Sequence, residues 1–307
     1  MASIKSVVRD LCPPLLWRGM GRLRHGPEPG PTPQEAEIAR LRSLPPATPA
    51  VVETLLDQRF RTADAHLFLA VYNGCFRRNA YRFKAKRADP LIIDGGANEG
   101  VTVRYWKSLF PSARIIAFEP DPDCFARLRE NCAGLKDVEL HPAGLWTANG
   151  PMSFKPVGGL GGHLACCCPR DDVADVKLEM VRLRDYLAEP VDFLKLDIEG
   201  AEIDVLRDCA DRLHLVDQMY LEYHSFVQRE QRLATLFGVL EGAGFRIHAQ
   251  PESPAPRPFL ERPVVNQKDF RLNLFCFREP PGAGRAAVPP PAGASAIPPA
   301  SRRPEET

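Results

Sequence analysis

The chain has 307 residues, is 44% hydrophobic and carries a formal net charge of +1. That length buries a full core, as one large domain or one and a half. The near-neutral charge excludes a global field drawing the chain to nucleic acid, and no run of about eighteen apolar residues is present to span a membrane.

The nine cysteines form no spaced framework, because Cys166, Cys167 and Cys168 are consecutive and no C-x-x-C occurs. Consecutive cysteines pair poorly and make a poor tetrahedral metal site. Reduced thiols in a cytoplasmic protein are expected. Lys5 and Arg9 are followed by no uninterrupted apolar stretch, so a signal peptide is not expected.

In chain order, residues 1–31 read as a flexible Pro/Arg-rich arm. Its Leu, Trp17 and Arg residues can make weak membrane-surface contact, but Pro13, Pro14 and several glycines interrupt any helix. Thr32-Pro33-Gln34-Glu35 is a capping-box pattern with Pro at the first helical position, predicting a helix to about Ser43. Two further helices are expected at Val51–Phe60 and Ala63–Phe76, which makes 32–86 an N-terminal helical cap. The stretch RRNAYRFKAKR, 77–87, interleaves Tyr81 and Phe83 with basic residues. It reads as a solvated helix end rather than a nucleic-acid patch, given the neutral overall charge.

Strand and helix then alternate. Strands are expected at 91–94, 114–118, 137–141, 192–197 and 217–223, with helices at 99–109, 123–132, 200–212 and 227–242. This alternation predicts a parallel sheet with helices on both faces and right-handed crossovers. A long insertion, 144–190, carries an expected hairpin at Asn149-Gly150 and the loop VGGLGGHLACCC, in which His163 is read as a loop residue. Phe245–Ala249 and Arg271–Phe277 read as two late strands, and 280–307 as a disordered Pro/Ala-rich tail.

The most informative segment is LIIDGGANEG, 91–100, where an apolar strand ends on Asp94 and a loop with Gly95, Gly96 and Gly100 feeds a helix. Bare backbone there lets a ligand lie close. The next strand ends on Glu119, an acidic group suited to accept hydrogen bonds from two ribose hydroxyls. The glycine spacing is not G-x-G-x-x-G and no Gly-Lys-Ser/Thr follows, so neither a dinucleotide fingerprint nor a P-loop is present. Asp94 and Glu99 disfavour a diphosphate and favour a nucleoside cofactor with a cationic part, as in S-adenosylmethionine.

With these residues in hand, the chain resembles the FkbM family of S-adenosylmethionine-dependent methyltransferases. The matching pieces are Asp94-Gly95-Gly96-Ala97-Asn98-Glu99-Gly100, Ala117-Phe118-Glu119-Pro120, Phe193 to Glu202, and Leu221-Glu222-Tyr223-His224, over about 90–248. The family usually has an apolar residue where Gly95 stands, and often where Glu99 stands. The resemblance implies a Rossmann-like methyltransferase fold in 87–279: a seven-stranded, mostly parallel sheet with the last strand antiparallel. It implies S-adenosyl-L-methionine held by Asp94, Gly96, Asn98, Gly100, Glu119 and Pro120. It also implies O-methylation of a sugar, glycan or polyketide-type hydroxyl.

Residues i and i+2 of a strand share a face, and ligands in open α/β sheets bind outside the carboxyl ends of the strands. Asp197, Glu199, Glu222 and His224 are therefore expected to converge near the transferred methyl group. Asp197, Glu222 and His224 are the candidate catalytic residues: His224 has the range of a base, and a carboxylate can orient it or take the proton itself. The same three could hold Mg²⁺, but imidazole suits that ion poorly, so a metal-free site is favoured. Methylation of RNA or protein, and a non-catalytic cofactor-binding protein, are the alternatives. Oligomeric state and acceptor identity are not legible.

Overall fold

The computed structural model describes residues 30–155, 163–164, 176–252 and 257–279. Residues 1–29 of the expected arm, the tail, and most of the loop VGGLGGHLACCC lie outside the described residues.

Helix α1 (Pro33–Ser43) starts at Thr32, whose side chain accepts from Glu35 N while Glu35 accepts from Thr32 N, the expected capping box. The expected helix at Val51–Phe60 does not form. An antiparallel ribbon, β1 (Ala50–Val52) with β2 (Phe60–Thr62), stands there instead. Val52, Phe60 and Thr62 are buried while Arg61 is exposed, a period-two pattern that satisfies a strand and would be split around a helix. Helix α2 (Ala65–Tyr72) is capped by Asp64, whose side chain accepts from His66 N and Leu67 N. A π-helical turn, Asn73–Arg77, follows.

The expected alternation then appears within a few residues: β3 (Leu91–Gly95), α3 (Val101–Leu109), β4 (Arg114–Phe118), α4 (Pro122–Asn131) and β5 (Val138–His141). The insertion contributes β6 (Gly144–Trp146), β7 (Gly150–Lys155), β8 (His163–Leu164), β9 (Val176–Arg182) and the short helix α5 (Leu183–Tyr186). Then come β10 (Val191–Leu196), α6 (Glu202–Asp208), β11 (Val216–Phe226), α7 (Leu233–Gly242), β12 (Arg246–Pro251) and β13 (Lys268–Phe277).

The main sheet has seven strands in the order β12-β13-β11-β10-β3-β4-β5. β11, β10, β3, β4 and β5 pair in parallel, and β13 is antiparallel to both neighbours. This is the expected mostly parallel Rossmann-like sheet with an antiparallel last strand. The expected hairpin at Asn149-Gly150 is not one. β6 and β7 both pair with β9, parallel and antiparallel respectively, in a separate four-stranded sheet of order β6-β9-β7-β8. The turn carries the chain across β9 because the later strand inserts between the two it joins.

Alternate residues of the central strands feed two cores. Leu91, Ile93, Leu194, Leu196 and Leu221 pack with α6, α7 and β9. Ile92, Ile115, Phe193 and Tyr220 pack with α3 and with Leu41, Phe60, Phe68 and Phe83 from the segment before the sheet. The aromatic residues of 77–87 therefore face inward. Phe83 stacks on Phe193 with ring centroids 4.8 Å apart, and Tyr81 meets Tyr220 edge-on at 4.7 Å. The stretch is no stacking platform for bases: its aromatic residues are turned in, while Arg77, Arg78, Arg82, Lys84 and Lys86 are exposed, as the solvated reading expects. Its cations Lys86 and Arg87 pair with Asp217 and Asp192.

Candidate active site

The carboxyl ends of β3 and β4 carry the first half of the site. Asp94, fully buried, is opposite Lys195 in the β3–β10 register; Lys195 Nζ lies 3.2 Å from its Oδ1 and the Thr102 hydroxyl donates to Oδ2. Lys195 Nζ also donates to Gly96 O at 2.8 Å, tying the glycine loop to β10. Burial works against the Lys195 charge, but Asp94 and Asp197 outweigh it and raise its pKa. Gly100 begins α3 with φ +94°, and a Cβ there would lie 2.8 Å from Leu128 Cδ1, so only glycine fits.

Glu119, just past β4, accepts from Asn98 N at 2.8 Å and Asp121 N at 2.9 Å, one N–H per oxygen. Burial raises its carboxyl to about 7 despite those two bonds. An ionised carboxylate accepts at about four positions; two are used, so two remain, the number a ribose diol needs. Pro120 follows and is half-buried. Asn98 makes the loop's turn with φ +49°.

Two expectations for this loop are corrected. The space beside Gly96 is protein: a Cβ there would stand 2.0 Å from the Asp197 carbonyl oxygen, at φ +81°. Its bare Cα is demanded by the end of β10, while its backbone still lines a pocket with Ala97, Asn98, Lys195 and Asp197. Glu99 does not face a ligand's positive charge. Its Oε1 accepts from Arg127 Nε at 2.6 Å and from Ala63 N at 2.8 Å, stitching the segment before the sheet to α4.

The second half stands at the ends of β10 and β11. Glu222 and His224 share a face of β11 and Asp197 follows β10, so these side chains meet one another at the sheet's edge. His224 is buried; its Nε2 lies 3.4 Å from Glu222 Oε1, 3.8 Å from Glu199 Oε2 and 3.9 Å from Asp197 Oδ1. Its Nδ1 lies 3.1 Å from Glu202 Oε1. Burial opposes charging the ring, but Glu199, Glu202 and Glu222 outweigh it and hold the pKa well above the ordinary histidine range. The surrounding carboxylates thus favour the charged ring over a free base. Burial and the Glu222 charge push Asp197 up to about 7. Glu222 resists burial through His224 and Arg271 and stays at about 2.

Three participants were not singled out from sequence. Glu202 opens α6 and reaches back to Ile198 N and Gly200 N as well as to His224. Its signal was available as an acidic residue in a helix's first turn. Lys268 pairs with Glu199, and Arg271 stands 3.9 Å from Glu222. Both come from β13, far along the chain, and nothing local announces them.

Residues 94–247 match the Methyltransferase FkbM domain family. The chain is 30% identical over 159 residues to the 2-O-methyltransferase NoeI of Sinorhizobium fredii, covering 45% of this chain and 65% of that protein. It is 27% identical over 142 residues to the hexuronic acid methyltransferase AglP of Haloferax volcanii, covering 45% and 58%. With the 31-O-demethyl-FK506 methyltransferase FkbM of Streptomyces tacrolimicus it shares 25% identity over 211 residues, 57% of this chain and 79% of that one. The match thus spans just under two thirds of NoeI and less of AglP.

Proposed function

The chain belongs to the FkbM methyltransferase domain family, and on that premise we propose that it transfers the methyl group of S-adenosylmethionine to a hydroxyl of a sugar, glycan or polyketide-type metabolite. The observation that carries this reading is the meeting of two unlike half-sites. The Asp94–Gly100 loop and Glu119 lie at the ends of β3 and β4, and Asp197, Glu222 and His224 at the ends of the adjoining β10 and β11. Asp197 and the loop residues Gly96, Ala97 and Asn98 line one pocket.

The bound cofactor supplies an electrophilic methyl group on a sulfonium that departs as a neutral thioether. Glu119 receives the ribose hydroxyls, and Gly96, Asn98 and Gly100 give the loop the shape that brings its backbone close. Asp94, answered by Lys195 and Thr102, fixes the loop's root rather than meeting the ligand charge. On the acceptor side the hydroxyl must lie in line with the methyl carbon and lose its proton. The imidazolium steadies the negative charge growing on the acceptor oxygen, and the proton passes to one of the carboxylates flanking His224 Nε2.

Relatives named for a 2-O position and a 31-O position support an oxygen acceptor, and one named for a hexuronic acid supports a sugar. The test is incubation of the full chain with methyl-labelled cofactor and a panel of sugars, glycans and hydroxylated metabolites. Mass spectrometry should find one added methyl group on a hydroxyl-bearing product. Absence of cofactor binding by calorimetry would sink the reading.

A further inference from the structure

Asp197, Glu199 and His224 each offer a ligating atom, and these atoms lie within 4.8 Å of one another. Two donors bound to one ion at roughly 2.0–2.4 Å can stand no more than about 4.8 Å apart. The three residues come from different places: Asp197 from the end of β10, Glu199 from the turn into α6, and His224 from β11. Acidic residues alone do not make a cation site. The independent sign is the histidine, whose side chain is 2% exposed. Its Nε2 faces Glu222, Glu199 and Asp197 at 3.4, 3.8 and 3.9 Å. All three separations exceed an ordinary N–H···O bond. A buried nitrogen thus points into a gap walled by carboxylates, its nearest partner the Glu222 carboxylate at 3.4 Å. Behind it, Glu202 Oε1 stands 3.1 Å from Nδ1 and sets the ring's direction. A carboxylate behind a histidine is the arrangement that orients ligating imidazoles toward metals.

We propose that Asp197, Glu199 and His224 bind a first-row divalent cation that chelates the acceptor through two oxygens on neighbouring carbons, so that the preferred acceptor is a vicinal diol. This rests on the methyltransferase reading above and deepens it. Two carboxylates and one imidazole suit Mn²⁺ better than Mg²⁺, which prefers all-oxygen surroundings. The cation takes the place of the Nε2 proton, which is released on binding, and three protein donors leave positions open for two acceptor oxygens. Asp197 is also the wall shared with the cofactor loop, so a chelated diol lies beside the methyl donor. The cation makes the held hydroxyl easier to deprotonate. Glu222, outside the ligand set, relays the proton outward, its own carboxyl being held too low to keep it. The O–CH₃ bond then forms as the S–CH₃ bond breaks, and the electron pair of that bond stays on sulfur.

Lys268 tests the arrangement from the other side. Its ammonium pairs with Glu199 and competes with the cation for that carboxylate. The experiment uses the full chain, stripped with EDTA and titrated with MnCl₂, read by electron paramagnetic resonance and calorimetry, with cofactor affinity measured in parallel. One Mn²⁺ per chain is expected. Glu199→Gln and His224→Gln should weaken it by about tenfold or more, Glu202→Gln by a similar factor, and Lys268→Gln should tighten it. Cofactor affinity should stay within about twofold in Glu199→Gln, whose side chain lies at the acceptor edge. A sugar with adjacent free hydroxyls should lower the water-proton relaxation enhancement of bound Mn²⁺, and the same sugar with one of the pair blocked should not. No saturable Mn²⁺ binding below about 1 mM, or binding unchanged in Glu199→Gln, overturns the cation site. Equal responses to the free and blocked sugars overturn the diol preference. In each case normal cofactor binding leaves the methyltransferase reading standing, and its loss from the wild type counts against that reading instead. Should His224→Gln fail to fold, the partly exposed Glu199 carries the test.

Discussion

Glu119 shows how far one residue's chemistry reaches. It holds the loop through Asn98 N and has acceptor positions to spare. Glu119→Ala should weaken S-adenosylmethionine by about 1.5–3 kcal/mol, the range for losing a charged acceptor; unchanged affinity by titration removes the ribose role. Its carboxyl is raised to about 7, chiefly by burial. The ionised form accepts hydroxyls better, so cofactor affinity should rise as pH increases through about 7. For stability without cofactor the sign is opposite. A raised folded-state value favours the protonated native form, so this group's contribution is present below the ordinary carboxyl range and is lost as pH climbs through about 7. Calorimetric affinity and melting temperature against pH should therefore slope in opposite directions. At this scale the site was partly legible. Glu119, Asp197, Glu222 and His224 could be found because a charged residue ending an apolar strand is conspicuous. Glu99 misled, because Arg127, which answers it, sits a helix away.

Elements were legible wherever a period was clean. The strands that build the central sheet and the helices between them stand close to expectation, except that α7 begins at Leu233 rather than at 227 and α6 ends at Asp208 rather than at 212. The failures have physical causes: Val51–Phe60 has helix-compatible composition, but its ends pair with each other, and β6 to β9 are too non-sequential in pairing to announce their partners. The junction of β3 and α3 makes a sharp prediction. Gly96→Ala places a Cβ against the Asp197 carbonyl at positive φ, joining backbone strain to overpacking. It should cost about 2–4 kcal/mol in urea unfolding. A variant of normal stability that has lost only cofactor affinity would return Gly96 to a purely ligand-facing role. By contrast Asp64→Ala, which removes only the cap of α2, should cost about 1 kcal/mol and leave cofactor affinity unchanged.

The family match begins at residue 94, yet the molecule's packing does not. One face of the sheet is covered by the residues before it. Phe83 stacks on Phe193, Tyr81 O accepts from Trp106 Nε1 at 3.2 Å, and Asn131 bonds both the N–H and the carbonyl of Arg61 at 2.8 Å. Removing the segment bares Ile92, Trp106, Phe193 and Tyr220, all buried in the whole chain. At about 1.5–3 kcal/mol for each large apolar side chain, that is roughly 6–12 kcal/mol, comparable with the entire stability of a domain, about 5–15 kcal/mol. The fragment 87–279 should therefore not fold cooperatively, although the sequence reads it as a domain by itself. Near-ultraviolet circular dichroism and urea unfolding decide the matter. The expected result is a chain with strand and helix signal but no fixed aromatic environment and no sharp transition. A fragment that unfolds in one cooperative step and still binds S-adenosylmethionine would mean that the cap rests on a core already complete without it.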